Sequence, residues 1–186
     1  AINNSYGAGG GLWHQSEGRG SQAGHSATHS LYYGQGEGPD GGGNYDVGNT
    51  EGVVLSPLVD LTFVAAPVTL SFNYCLETEG SVWMGYDVAT VEVSQDGGPF
   101  SVVASNGVGG VALADPSYVW AAASVDLSAY AGSSIQLRFH FATGDELFNN
   151  YEGWYVDDVA VSCGVVLPMR AAVWDRGPVA PSGVPV

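Results

Sequence analysis

Three segments of this chain alternate apolar and polar residues with a period of two, and nothing else confines its fold so tightly. Val68, Leu70, Phe72, Tyr74 and Leu76 alternate with Thr69, Ser71, Asn73 and Cys75. Ala89, Val91 and Val93 alternate with Thr90, Glu92 and Ser94, and Ile135, Leu137, Phe139 and Phe141 with Ser134, Gln136, Arg138 and His140. A strand turns successive side chains to opposite faces, so these rows describe half-buried antiparallel strands with one face on a core. Turn chemistry separates them at Asp96-Gly97-Gly98-Pro99, Asn106-Gly107 and Asp115-Pro116. No amphipathic helix of useful length is present; Ser128–Ala131 has room for one short turn. Roughly eight or more strands without helices predict an all-β fold, a two-sheet antiparallel jelly-roll sandwich with extended N- and C-terminal segments.

The 186 residues suit one domain. Residues 1–11 read as a Gly-rich extension, 12–163 as the jelly roll and 164–186 as an apolar, Pro-rich tail. Short strands are expected near Leu12–His14 and Thr28–Gly34. In the tail, Val165, Leu167 and Met169 alternate, and Ala171, Val173 and Trp174 follow. Such a segment needs a surface to cover. It either folds back onto its own domain or inserts along a neighbour's sheet edge, the strand-addition mode of self-assembling filament subunits.

Nineteen acidic residues against four arginines (Arg19, Arg138, Arg170 and Arg176) and no lysine give a formal charge of −15. That surface repels phosphate backbones and anionic membranes, which argues against nucleic-acid binding, and it favours hard divalent cations. No apolar run is long enough to span a membrane. Cys75 and Cys163 permit one disulfide, which would stabilise by about 4–5 kcal/mol in the chain-entropy account. A start at Ala1 without methionine suits a processed product. With the missing lysine and the many small polar residues, it predicts an extracellular, secreted or cell-surface protein.

Gly153-Trp154-Tyr155-Val156-Asp157-Asp158-Val159-Ala160-Val161 reads as a strand whose apolar phase slips. Trp154 and Val156 share one face, Val159 and Val161 the other. Either the strand is buried on both faces or a bulge at Asp157–Asp158 resets the phase. A bulge re-aims side chains, so the paired carboxylates become candidates to hold a cation.

Signatures of catalysis are missing: there is no His-Glu-x-x-His, no Gly-x-Ser-x-Gly elbow and no phosphate loop with lysine, so the expectation is a non-enzyme. His25 and His29 are four apart, but in a loop or strand that spacing does not bring two zinc ligands together. His14 and His140 read as hydrogen-bonded structural histidines. Calcium, which takes six to eight oxygens, is the best-supported chemistry; its candidate ligands are Asp157, Asp158, Glu51, Glu79 and Asp87. Aromatic rings offer a second chemistry, stacking on sugars. Of Tyr32, Tyr33, Trp83, Tyr86, Trp120, Tyr151 and Trp154, those in expected loops (Trp83, Tyr86 and Tyr151) are the candidate ligand contacts, while Trp120 and Trp154 read as core.

From Leu12 to Cys163 the chain resembles the MAM-like jelly rolls and their bacterial relatives, the accessory domains of immune-inhibitor-A-type proteases and cleaved-adhesin modules. The resemblance runs in order through Leu12-Trp13-His14, His29–Gly34, Leu55–Leu61, Leu70–Tyr74, Tyr86-Asp87, Asp96–Gly98, Val125–Ser128, Leu137–Phe139 and Gly153–Val159. It implies a binding, adhesive or supporting role without catalysis, often with calcium, and places that metal at Asp157 and Asp158. It also bears on the cysteines. Relative to the MAM pattern Cys75 comes later and Cys163 earlier, opposite shifts that can keep antiparallel partners adjacent. The reading that follows is a secreted, calcium-stabilised structural or adhesive subunit that assembles with copies of itself through its tail. The alternative is a carbohydrate- or substrate-binding accessory module of a secreted hydrolase.

Overall fold

The alternating rows become the inner strands of two facing sheets. The structure, a computed structural model, describes residues 1–5, 10–79, 85–116 and 118–164. In chain order the strands are β1 (Ile2–Asn3), β2 (Trp13–Ser16), β3 (Ser30–Tyr33), β4 (Glu51–Asp60), β5 (Val68–Glu77) and β6 (Val88–Gln95). They continue with β7 (Phe100–Ser105), β8 (Val111–Ala112), β9 (Ala121–Asp126), β10 (Ser134–Ala142) and β11 (Gly153–Cys163), and a 3-10 turn covers Ser128–Tyr130. One sheet runs β1-β4-β10-β6-β7-β8 and the other β2-β3-β11-β5-β9. Every pairing is antiparallel except the short β7–β8 contact. The expected all-β sandwich is what forms.

The core follows from the period-2 rows. In β10, Leu137, Phe139 and Phe141 stand opposite Val93, Val91 and Ala89 of β6. Leu70, Phe72 and Leu76 of β5 face them from the other sheet, and Trp13, Tyr33 and Trp154 close one end. The turn after β6 forms as its residues dictate, with Asp96 and Gly97 at φ of 51° and 75°. Within residues 1–11, β1 pairs with β4, Ile2 opposite Val54.

At β11 both readings of the slipped phase hold together. Trp154 and Val156 belong to the main core, while Tyr155 is buried on the opposite face with Tyr32, Cys75 and Trp120. Asp157 stands opposite Asn73 and Ala160 opposite Ser71, so Asp158 and Val159 share Phe72 as their counterpart. This is a bulge, and Asp158 takes the left-handed φ of 52° that it requires. Past it, Val161 turns back toward the core. Gly153 opens the strand at φ 101°, where a Cβ would stand 2.2 Å from the Tyr33 carbonyl oxygen.

The disulfide does not form. Cys75 is a buried thiol opposite Tyr155, and Cys163 an exposed thiol opposite Val68. At ~3.3 Å per residue that separates them by about 23 Å along the ladder, far outside the ~7 Å Cα limit of a bridge. Among the described residues no helix is long and apolar enough to cross a membrane.

Candidate functional site

Three connections meet at one end of the sandwich: β3–β4 (34–50), the described parts of β5–β6 (78–79 and 85–87) and β10–β11 (143–152). The Asp87 amide donates to the Thr143 carbonyl at 3.0 Å, Asn49 Nδ2 to Gly144 O at 3.2 Å, and Asn149 Nδ2 to Gly48 O at 3.0 Å. These bonds hold a rim on which apolar groups stand outward. Leu147 is 59% exposed and Phe148 67%, with Phe148 at φ 57°, a conformation a bulky side chain rarely adopts. Tyr86 lies half-buried against Gly144, where a Cβ would meet its Cδ1 at 3.1 Å. Tyr151 is half-buried and packs on the main core, so it supports the rim more than it lines it. Trp83 lies outside the described residues. Leu147 and Phe148 escaped the sequence reading because nothing in their order distinguishes an outward ring from a core ring.

Under this rim sits Asp87, fully buried and at φ 51°. Its Oδ2 accepts the Tyr45 hydroxyl at 2.6 Å, and its Oδ1 has no hydrogen-bond partner. Burial pushes its carboxyl up to about 6, the charges of Glu79 and Asp145 add to that, and bonds from Tyr45 and the Glu79 backbone oppose it. Asn149, 1% exposed, also has an unpartnered Oδ1. Uncompensated buried oxygens are costly, and a bound cation would satisfy them. Glu79 and Asp87 therefore suit calcium in their donor type.

The other expected calcium ligands are elsewhere. Asp157 Oδ2 bonds His25 Nδ1 at 2.9 Å and the Ser26 hydroxyl at 3.2 Å. Asp158 Oδ2 accepts from the Ser26 amide at 2.8 Å and Asn73 Nδ2 at 2.7 Å. The bulge thus aims both carboxylates at the loop over residues 17–29, and three of their four oxygens are engaged in hydrogen bonds, Asp157 Oδ1 with the Asp158 amide. Glu51 belongs to the opposite sheet and bonds His140 Nε2 at 2.8 Å. The five do not make one ligand set, and no three His, Cys, Asp or Glu side chains converge to hold a metal among the described residues.

The loop over residues 17–29 also removes an aromatic platform. Tyr32 stacks on Tyr155 with centroids 4.0 Å apart, and His25 stacks on Trp120 at 3.9 Å. Arg19 forks onto Glu152 across this face, with Nε to Oε1 at 2.7 Å. Tyr32, Tyr33, Trp120 and Trp154 are all buried and offer no face to a sugar. His14 and His29 pair with Glu37 and Glu17, so His25 and His29 serve different carboxylates and not a shared metal.

No protein-family model matches the chain, and no curated protein matches it either. Among solved structures it is similar to TmCBM61 in complex with β-1,4-galactotriose, at 13% identity and a TM-score of 0.49, covering 82% of this chain and 83% of that one. It is also similar to the K3 cleaved adhesin domain of Lys-gingipain from Porphyromonas gingivalis, at 17% identity and a TM-score of 0.45 over 88% and 98% of the two chains. A third is the Caldicellulosiruptor saccharolyticus CBM27-1 in complex with mannohexaose, at 14% identity and 0.42 over 85% and 87%. These are likenesses of chain path, at identities that carry over no residue role and no ligand.

Proposed function

We propose that this chain is a secreted, non-catalytic β-sandwich binding module that takes a carbohydrate at the loop end carrying Tyr86, Leu147 and Phe148. One observation carries the reading: Phe148 is held outward at a left-handed φ beside a second exposed apolar residue. A ring kept in solvent by strained backbone finds its use in contact with something else, and a flat ring face packs against a pyranose face. Trp83 belongs to the connection that borders this rim and joins the proposal on its sequence position. Calcium accompanies the site at Asp87 with Glu79, where it would stabilise the connections that shape the rim.

Screening the chain on a glycan array, with Phe148→Ala, Tyr86→Ala and Trp83→Ala beside it, tests the reading. Binding that each substitution weakens at least tenfold, with melting unchanged, supports it. An array without signal, or a signal indifferent to all three, removes it. Assembly into fibres rests on residues 165–186, which lie outside the described residues; an adhesive role needs only the glycan contact.

A further inference from the structure

One flank of the sandwich is open. Past Leu55, whose amide reaches the Ala1 carbonyl, β4 has no outer neighbour among the described residues. On the other sheet β3 covers β11 only from Trp154 to Val156. Between the two uncovered edges lies an apolar cleft of about 470 Å³, floored by Leu31, Val54, Val59, Phe139, Val159 and Val161. A second depression of about 390 Å³ shares Leu31 and Val159 with it and continues toward the bulge at Asp157 and Asp158. An unpaired backbone edge above an apolar floor is the chemistry that receives an extended, alternating peptide.

We propose that residues 167–171 of this same chain fill the cleft as an added antiparallel strand on β11. Three residues separate the segment from Cys163, at the uncovered end of β11. A three-residue reversal over Gly164–Val166 sets Leu167 opposite Cys163, Met169 opposite Val161 and Ala171 opposite Val159. Directly opposed residues share a face, so Leu167, Met169 and Ala171 then enter the cleft while Pro168 and Arg170 face out. Proline is acceptable in such an edge strand. The added strand ends at the bulge, on Val159, and β3 covers the same edge of β11 from Val156 back to Trp154. Charge agrees: residues 165–186 hold two of the four arginines and one of the nineteen acidic residues, against a strongly anionic body. A hairpin connection also gives the segment a high effective concentration at its own cleft, ahead of a neighbour's.

The full chain carrying Cys163→Ser tests this, with Cys75 left in its buried place. Val159→Cys is paired with Ala171→Cys in one protein and with Ala172→Cys in another, and both are oxidised at low protein concentration. The expected result is an intrachain bridge, mapped by peptide mass, in a monomer by size exclusion. Its yield should be roughly tenfold greater for position 171 than for position 172, since only the former shares the inward face. Interchain bridges with the same preference would give the cleft to a neighbour's tail and overturn the intramolecular assignment. Equal yields at the two positions, or no bridge at either, would overturn the strand itself.

Discussion

Arg19 and Glu152, 133 positions apart in the chain, form a two-point ion pair that is almost wholly buried on the outer face of the β2-β3-β11-β5-β9 sheet. The Glu152 carboxylate also accepts the Gly42 amide at 2.8 Å, and Arg19 Nη1 donates to the Tyr118 carbonyl at 2.7 Å. The pair therefore ties together four connections, those carrying Arg19, Gly42, Tyr118 and Glu152. Arg19→Met strands a buried carboxylate and is expected to cost about 3–5 kcal/mol, whereas Arg19→Met with Glu152→Leu should recover much of it. Urea denaturation of the two singles and the double closes the cycle; a double as unstable as the worse single would refute the account.

Two buried carboxyls predict opposite pH dependences. Burial alone would raise Glu92, but hydrogen bonds from His140, Thr90 and Arg138 outweigh it and hold it down at about 2. Its contribution is present above the ordinary value of 4.5 and is lost as pH falls toward 2. Asp87 is raised to about 6, so its contribution is complete below 3.8 and is lost as pH rises through about 6. Glu92→Gln should flatten the acid limb of a melting-temperature profile, and Asp87→Asn the loss between 3.8 and about 6. Calcium should oppose the Asp87 loss, and chelation should lower the melting temperature at neutral pH. A melt indifferent to chelator would count against metal at this position.

The thiols give a direct check on the corrected pairing. Cys75 is buried, which pushes its thiol up to about 12, and Cys163 is exposed. Alkylation of the native protein should add one label, at Cys163, and denaturation without reductant should release the second. A native protein that takes no label, and a denatured one that takes none until reduced, would restore the bridge.

The strands were legible in the sequence, while the treatment of the outer faces was not. Phe139 and Phe141 declared their face by alternation, and Trp154 and Val159 announced a change of phase that the bulge supplies. The error over Cys75 came from register, which depends on which residue of β5 meets which residue of β11. Alternation fixes a face but not a longitudinal offset. The partners of Asp157 and Asp158 were illegible for a different reason: they lie on a loop more than a hundred positions upstream, and neither the Ser26 amide nor the His25 ring advertises its partner. The loop end was half legible. Tyr86 was named, whereas the exposure of Phe148 depends on backbone geometry that no composition rule reaches.

The bulge offers its own test. Asp158 combines a left-handed φ with hydrogen bonds to Ser26 and Asn73. Asp158→Val loses the bonds and adds a β-branched clash, an expected cost of about 1–3 kcal/mol, while Asp158→Gly loses only the bonds. Chemical denaturation that finds the two variants equal would show that backbone strain is not what selects this residue.

Both guanidinium groups among the described residues are spent inward, Arg19 on Glu152 and Arg138 on Glu92. With lysine missing from the whole sequence, carboxylates dominate the fixed charge that the described residues turn to solvent. Polyuronates and sulfated polymers would meet repulsion there unless divalent ions bridged them, and neutral oligosaccharides would not. Uptake of an uncharged glycan should then be insensitive to added sodium chloride, and retention of an acidic one should rise with it.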